Sequence, residues 1–181
     1  MARVVVRPAR DDDAAAIARV HWQSWQETYA GLMPQALLDA TTLELRLAQW
    51  PEWLAAHRQN AMPLVAELDG AVSGIALVAP ARDPSLGTPL ELGLCYVLAA
   101  AHRRGVGRAL VGGCAGWLAA RGGGAVGLWV VDGNDRAEAF YTAMGARRTG
   151  VVRTETVRGH ELAEFAMAWD RLGDPCDPTV A

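Results

Sequence analysis

The chain has no lysine: all 17 of its basic residues are arginine. A coding bias toward alanine, glycine and arginine accounts for this, so no function is drawn from it. Cysteine is scarce. The three present, Cys95, Cys114 and Cys176, are far apart and odd in number. That pattern excludes a disulfide framework and a zinc knot, and makes a reduced, cytoplasmic compartment the expectation. No apolar run is long enough to span a membrane, and Asp11-Asp12-Asp13 arrives too early for an apolar signal core. A strong charge of either sign is also missing. The net charge of -3 gives no reason to expect nucleic-acid or membrane-surface binding. His21, His57 and His102 lack metal-ligand spacing, so surface roles and no metal are expected. What is present is apolar: 51% of 181 residues, enough for a sizeable core.

The order of elements can be read from breakers and periodicity. Val4-Val5-Val6 is a short β-branched run that Pro8 limits. Asp11 to Asp13 supply a cap and negative charge for a helix over Ala14 to Tyr29. Gly31 and Pro34 break it, and Pro34 opens a second helix reaching Trp50, before Pro51. A further short helix is expected over Glu52 to Arg58. Leu64 to Leu68, Asp69-Gly70 and Val72 to Val78 read as a hairpin. Pro80 to Pro89 is a loop, and Leu90 to Leu98 a strand with a bulge at Gly93. A helix over Gly107 to Arg121 ends at three glycines. Ala125 to Val131 is a buried strand. Asp132 to Asp135 turn the chain into a helix over Arg136 to Met144, which Gly145 closes. Two more strands follow near Arg147 to Glu155 and Glu161 to Trp169. This is one α/β domain over residues 1–172, with helices interrupting a mixed sheet, and a flexible tail over 173–181.

The most informative stretch is His102-Arg103-Arg104-Gly105-Val106-Gly107-Arg108-Ala109-Leu110. Two glycines among arginines follow a strand and open a helix. Glycines allow a tight turn with exposed N–H groups, and the helix start is positive. Arginines add charge-matched donors. Together these make a cradle for phosphate or pyrophosphate. A dinucleotide fold would place a small residue three positions past the second glycine, where this chain has Leu110. Asp132 at the end of the next strand is the one feature on the side of that reading. Against it stand a single mid-chain βαβ-like unit and the flanking arginines.

With Tyr96-Val97 before it, and Asn134-Asp135-Arg136-Ala137, Phe140-Tyr141 and Met144-Gly145-Ala146 after it, this stretch resembles a GNAT-superfamily acetyltransferase. The family's loop reads Gln/Arg-x-x-Gly-x-Gly/Ala; here His102 stands at its first position, and Ala146 replaces a usual aromatic. The resemblance implies a mostly antiparallel sheet with a central splay between two parallel strands, flanked by helices. It implies acetyl-CoA as cosubstrate and no metal. The pyrophosphate would lie on Arg103, Arg104, Gly105, Val106, Gly107 and Arg108. The backbone of Cys95, Tyr96 and Val97 would hold the pantetheine arm and the thioester carbonyl, with the N–H of Val97 as an oxyanion donor. Asn134 would contact the arm, and Ala137 would let it pass closely. Tyr141 would protonate the leaving thiolate. Read alone, Asn134 is also a plain helix cap, and Tyr141 also a core residue.

On the acceptor side, an attacking amine must lose a proton. Glu91, six residues before Val97, matches the base of the histone acetyltransferase branch. The alternative glutamate position five residues before Asn134 is taken by Trp129. Glu155, His160 and Asp69 are weaker candidates, and ordered water is another route. Trp22, Trp25 and Tyr29 are spaced to share a helix face; the resemblance implies that the first two helices wall the acceptor pocket, where these aromatics would lie, and a core stripe reads the same way. Trp50 and Trp53 form a second aromatic pair. The expected activity is acetyl transfer to an amine of a small molecule or peptide, and a homodimer is common in the family. A non-catalytic acyl-CoA sensor would keep the cradle without Glu91 and Tyr141. Another acyl group or a hydroxyl acceptor would also suit the same motifs.

Overall fold

A computed structural model of the chain describes residues 3–57 and 60–173. Arg58, Cys176 and positions 174–181 of the expected tail lie outside the described residues. Seven strands form one sheet in the order β1-β2-β3-β4-β5-β7-β6. These are β1 (Val4–Pro8), β2 (Met62–Leu68), β3 (Ala71–Pro80), β4 (Leu90–Val97), β5 (Gly124–Val131), β6 (Arg147–Val157) and β7 (His160–Leu172). Every neighbouring pair is antiparallel except β4 and β5. The helices are α1 (Ala14–Tyr29), α2 (Gln35–Asp39), α3 (Leu43–His57), α4 (Val106–Ala119) and α5 (Asp135–Ala143).

The sheet is covered on both faces. One core joins α4 and α5 to the side chains of Leu92, Val126, Leu128, Phe165 and Met167. On the other face, Ile17, Ala18 and Val20 of α1 and Trp50 and Leu54 of α3 pack on Val65 and Ile75. Their spacing in α1 is the apolar stripe that the helix buries. A third cluster sets Leu37 and Leu38 of α2 against Val131 and Leu162.

The helix expected from Pro34 to Trp50 is two helices. Thr42 interrupts it: its hydroxyl accepts the Leu45 N–H at 3.2 Å, a side-chain cap that starts α3. Pro51 does not end α3 but lies inside it, and residues 52–57 continue the same helix. Trp50 and Leu54, both buried, bracket Pro51. Packing of that face outweighs the roughly 3 kcal/mol that an interior proline costs a helix.

Two irregularities shape the middle of the sheet. Leu77 pairs with Leu94 but Val78 pairs with Leu92, so the register skips Gly93, the expected bulge. The parallel pairing of β4 with β5 covers only Leu90 opposite Val126 and Glu91 opposite Gly127. Beyond Glu91 the two strands part. At the far end, Gly173, expected to begin a loose tail, is buried, and a Cβ there would lie 2.4 Å from the Ala115 carbonyl of α4.

Candidate active site

The gap between β4 and β5 has a polar lining made by alternation. The Leu98 N–H donates to the Ser73 carbonyl of β3 at 3.0 Å. Alternation therefore turns the N–H and C=O groups of Cys95 and Val97 the other way, toward the side that β5 has left. There the Val97 carbonyl accepts from Nε2 of His102 at 2.9 Å. The ring's Nδ1 then faces Nη1 of Arg136 at 3.4 Å, which fixes the tautomer with the proton on Nε2. So His102 is not a plain surface residue: it ties the glycine loop to the end of β4.

The loop itself is built for an external anion. Arg103 has φ 60° and Gly105 φ 85°, both in the left-handed region. Gly105 is the N-cap of α4 and brings no side-chain cap. The amides of the first turn, Val106 to Arg108, have no acceptor within the helix. Arg103, Arg104 and Arg108 are exposed around them. Arg104 bonds Asp69 of the β2–β3 turn at 3.1 Å, so Asp69, a weak base candidate, is committed at that turn. Gly107 meets α5 closely: a Cβ there would sit 3.1 Å from the Phe140 ring. Bare amides, a missing side chain at each glycine and nearby guanidinium groups fit a pyrophosphate. The unpaired edge of β4 fits a peptide-like arm.

At α5, Asn134 is buried and its Oδ1 accepts the Ala137 N–H at 3.2 Å. It is the helix cap. Tyr141 is buried in the same cluster against which Cys95 packs. Burial pushes the Tyr141 hydroxyl well above its usual range, so the phenol stays protonated. The Cys95 thiol is pushed up by burial to about 11, and is no nucleophile at neutral pH.

The opposite face of the sheet carries the residues expected on the acceptor side. Because of the bulge at Gly93, Leu94 and Tyr96 pack with α1 and α3, while Leu92, Cys95 and Val97 pack toward α4. Glu91, next to Leu92, therefore shares the α1 face with Tyr96. Glu91 is 4% exposed. Its Oε1 receives Nη2 of Arg82 at 2.7 Å, and its Oε2 receives the Arg82 N–H and Nε. Burial opposes its charge, but the Arg82 hydrogen bonds win and hold it below the usual carboxylate range. Glu164 on β7 is the contrasting carboxylate. Arg153 bonds only its Oε2, at 2.8 and 2.7 Å, and burial raises it above the usual range. Arg153 also holds Asp83 and Glu155 and lies 4.1 Å over the Trp129 ring.

His21, Trp25 and Tyr29, four residues apart on α1, meet Tyr96 of β4 in one aromatic cluster. The Tyr29 and Tyr96 hydroxyls are 3.4 Å apart. Trp22 takes no part in this cluster, so the face expected for Trp22, Trp25 and Tyr29 is instead that of His21, Trp25 and Tyr29. His21 was expected at the surface and is 2% exposed. Its Nδ1 accepts from Nε1 of Trp50 at 3.2 Å, and burial lowers its pKa to about 3. The side chain of His57 lies outside the described residues. Sequence reasoning missed Glu164, Arg46 and the Tyr96 side chain. The spacing of His21, Trp25 and Tyr29 was the available signal for the cluster; Glu164 and Arg46 join it only through tertiary contacts. Among the described residues no cluster of three or more His, Cys, Asp or Glu is placed to hold a metal, and no helix is long and apolar enough to cross a membrane.

A sheet opened between two parallel strands, with a glycine-arginine loop at the mouth, defines an acyltransferase of the GNAT type. The chain belongs to this family: the acetyltransferase (GNAT) family profile matches residues 16–146. It is similar to the uncharacterized N-acetyltransferase YuaI of Bacillus subtilis, 29% identical over 169 residues, 93% of this chain and 94% of that one. Among solved structures, a GCN5-related N-acetyltransferase from Rhodopseudomonas palustris aligns with a TM-score of 0.72 at 22% identity, covering 92% of this chain and 94% of that one. YncA of Salmonella typhimurium, solved with acetyl-CoA, aligns with a TM-score of 0.69 at 22% identity, covering 97% and 98%.

Proposed function

We propose that the protein is an acetyl-CoA-dependent N-acetyltransferase that moves the acetyl group directly to an amine of a small molecule or peptide, in the cytoplasm. The observation that carries this reading is the two-residue parallel pairing of β4 and β5, which opens onto Tyr141 on one side and the Gly105 loop at its end. Acetyl-CoA, when bound, supplies the activated thioester. The first-turn amides of α4, with Arg103, Arg104 and Arg108, hold its pyrophosphate. The open edge at Cys95 to Val97 pairs with the arm, beside Asn134 and Ala137, and the Val97 N–H donates to the thioester oxygen. Tyr141, kept protonated by burial, donates a proton to the departing sulfur.

The acceptor lies on the α1 face, against Trp25 and Tyr29. Its proton leaves toward the acidic side of that face. Glu91 sits there as a fixed negative charge, but Arg82 occupies both its oxygens and lowers its basicity. Glu164 is better matched: its basicity is raised, and Arg153 leaves its Oε1 unclaimed. We assign it the proton, directly or through water, with Glu91 stabilising the bound ammonium until its proton is lost and the free amine attacks. Coenzyme A thiol release by the purified chain, with acetyl-CoA and a panel of amines, tests the reading. Amine-dependent release supports it; stoichiometric binding with no release on any amine makes the protein a sensor instead.

A further inference from the structure

Among the described residues, Arg46 of α3 is a cation without a counter-ion. Its guanidinium lies between two indoles, 5.7 Å from the Trp25 ring and 5.8 Å from that of Trp53. Its Nε is buried with no hydrogen-bond partner, and its recorded side-chain bond goes to neutral Gln49 at 3.3 Å. Among the described residues no carboxylate pairs with it, although nine other ion-pair contacts are formed by arginines elsewhere. Partly removing a charge from water without a partner is costly, so a partner beyond the described residues is expected. Burial correspondingly lowers the Arg46 pKa. The neighbouring Trp25 also has a buried indole N–H without a partner. At this position two neighbouring donor atoms, Arg46 Nε and Trp25 Nε1, have no acceptor among the described residues.

That position belongs to the acceptor face. Arg46 is within electrostatic reach of Tyr96, and Tyr29 within reach of Glu164, while the two phenol hydroxyls stand 3.4 Å apart. We read the phenol pair as the boundary between a basic side and an acidic one. On the acidic side, Asp83, Glu91, Glu155 and Glu164 face two guanidinium groups, Arg82 and Arg153. On the basic side, Arg158 of the β6–β7 turn adds to Arg46. A ligand with an amine at one end and an anion at the other is oriented by this field; a polyamine would meet Arg46 with a second positive charge.

We propose that Arg46 and the Trp25 N–H receive a carboxylate of the acceptor, which makes the substrate a small carboxylate-bearing amine of the α-amino acid class. The proposal rests on the acetyltransferase reading for its reaction, and on Arg46 for its specificity. A guanidinium fork matches a carboxylate with two parallel hydrogen bonds.

The test uses the purified full chain with acetyl-CoA and the standard α-amino acids, each paired with its carboxamide. Thiol release is measured, together with calorimetric binding of each compound to the coenzyme A complex. The free acid of at least one pair should exceed its amide in kcat/KM by about tenfold or more. Arg46→Gln should erase that preference by raising KM for the acid about tenfold, with kcat and the KM for acetyl-CoA little changed. Arg46→Lys should restore part of it, since charge returns without the fork. Equal use of acid and amide, an equal loss on both in Arg46→Gln, or no binding of any acid would overturn the proposal. Arg46-dependent binding of an acid without turnover would support the carboxylate site and contradict the acetyltransferase reading.

Discussion

Tyr141 of α5 and Cys95 of β4 pack into one cluster on the α4–α5 side of the sheet, beside the seam where β4 has parted from β5. One comes from α5 and the other from β4, so the pair borders the opening in which we place the thioester. Tyr141→Phe keeps the ring packing against Phe140 and Trp169 and removes the proton donor. Its kcat should fall by about a hundredfold, the low end of general acid catalysis, while acetyl-CoA affinity changes little. Steady-state kinetics with calorimetry measure both, and an unaltered kcat removes Tyr141 from the chemistry.

The two carboxylates of the face where we place the acceptor, buried Glu91 and half-buried Glu164, should separate by pH. A base must be ionised to work, and Glu164 ionises above the usual carboxylate range. The wild-type kcat/KM should therefore rise with pH through that raised value and then level. Glu164→Gln should remove this limb and lower the plateau about a hundredfold. Glu91, already ionised at lower pH, should leave the limb in place when changed to Gln. Loss of the limb in Glu91→Gln, with its retention in Glu164→Gln, would exchange their roles.

Gly74 of β3 sets how closely α4 approaches the sheet. A Cβ there would lie 2.8 Å from Val106 Cγ1, 3.0 Å from Leu110 Cδ1 and 3.2 Å from the Tyr96 carbonyl. Gly74→Ala should cost about 1–3 kcal/mol, the range for overpacking a filled core. Because Val106 opens α4, acetyl-CoA binding should weaken as well. Urea unfolding and calorimetry measure the two effects; a variant as stable as wild type would mean that α4 can yield without cost.

His21 makes stability depend on acid. It titrates near 6.5 when exposed and near 3 when folded. The unfolded chain thus binds the proton first, and stability is present above pH 6.5 and lost as pH falls toward 3. Across that window His21 alone contributes a slope of about 1.4 kcal/mol per pH unit. Urea midpoints against pH, compared with His21→Gln, measure it. The same slope in the variant would assign the loss to other groups.

Much of this was legible because it is local. The N- and C-terminal limits of α1, the Asp69-Gly70 hairpin and the Gly93 bulge all follow from residues that decide their own backbone. The extent of α3 was not, because the buried Trp50–Leu54 face holds a helix through Pro51, and that face exists only once β2 and β3 are beneath it. The Thr42 cap was readable, but Pro34 drew attention to an earlier start. The glycine loop declared its chemistry in sequence, since amides and glycines act through the backbone. The acceptor face did not. Arg46, Tyr96 and Glu164 lie on α3, β4 and β7, and their charges acquire meaning from partners that are distant in sequence or missing.

The central claim is that acetyl-CoA occupies the seam between β4 and β5. Amide resonances of the purified chain, followed during titration with acetyl-CoA, test it directly and without an acceptor. The account predicts saturable shifts concentrated at Cys95 to Val97, Gly105 to Arg108 and Asn134 to Ala137. Saturable shifts that leave those three segments unmoved, or no binding at all, would contradict it.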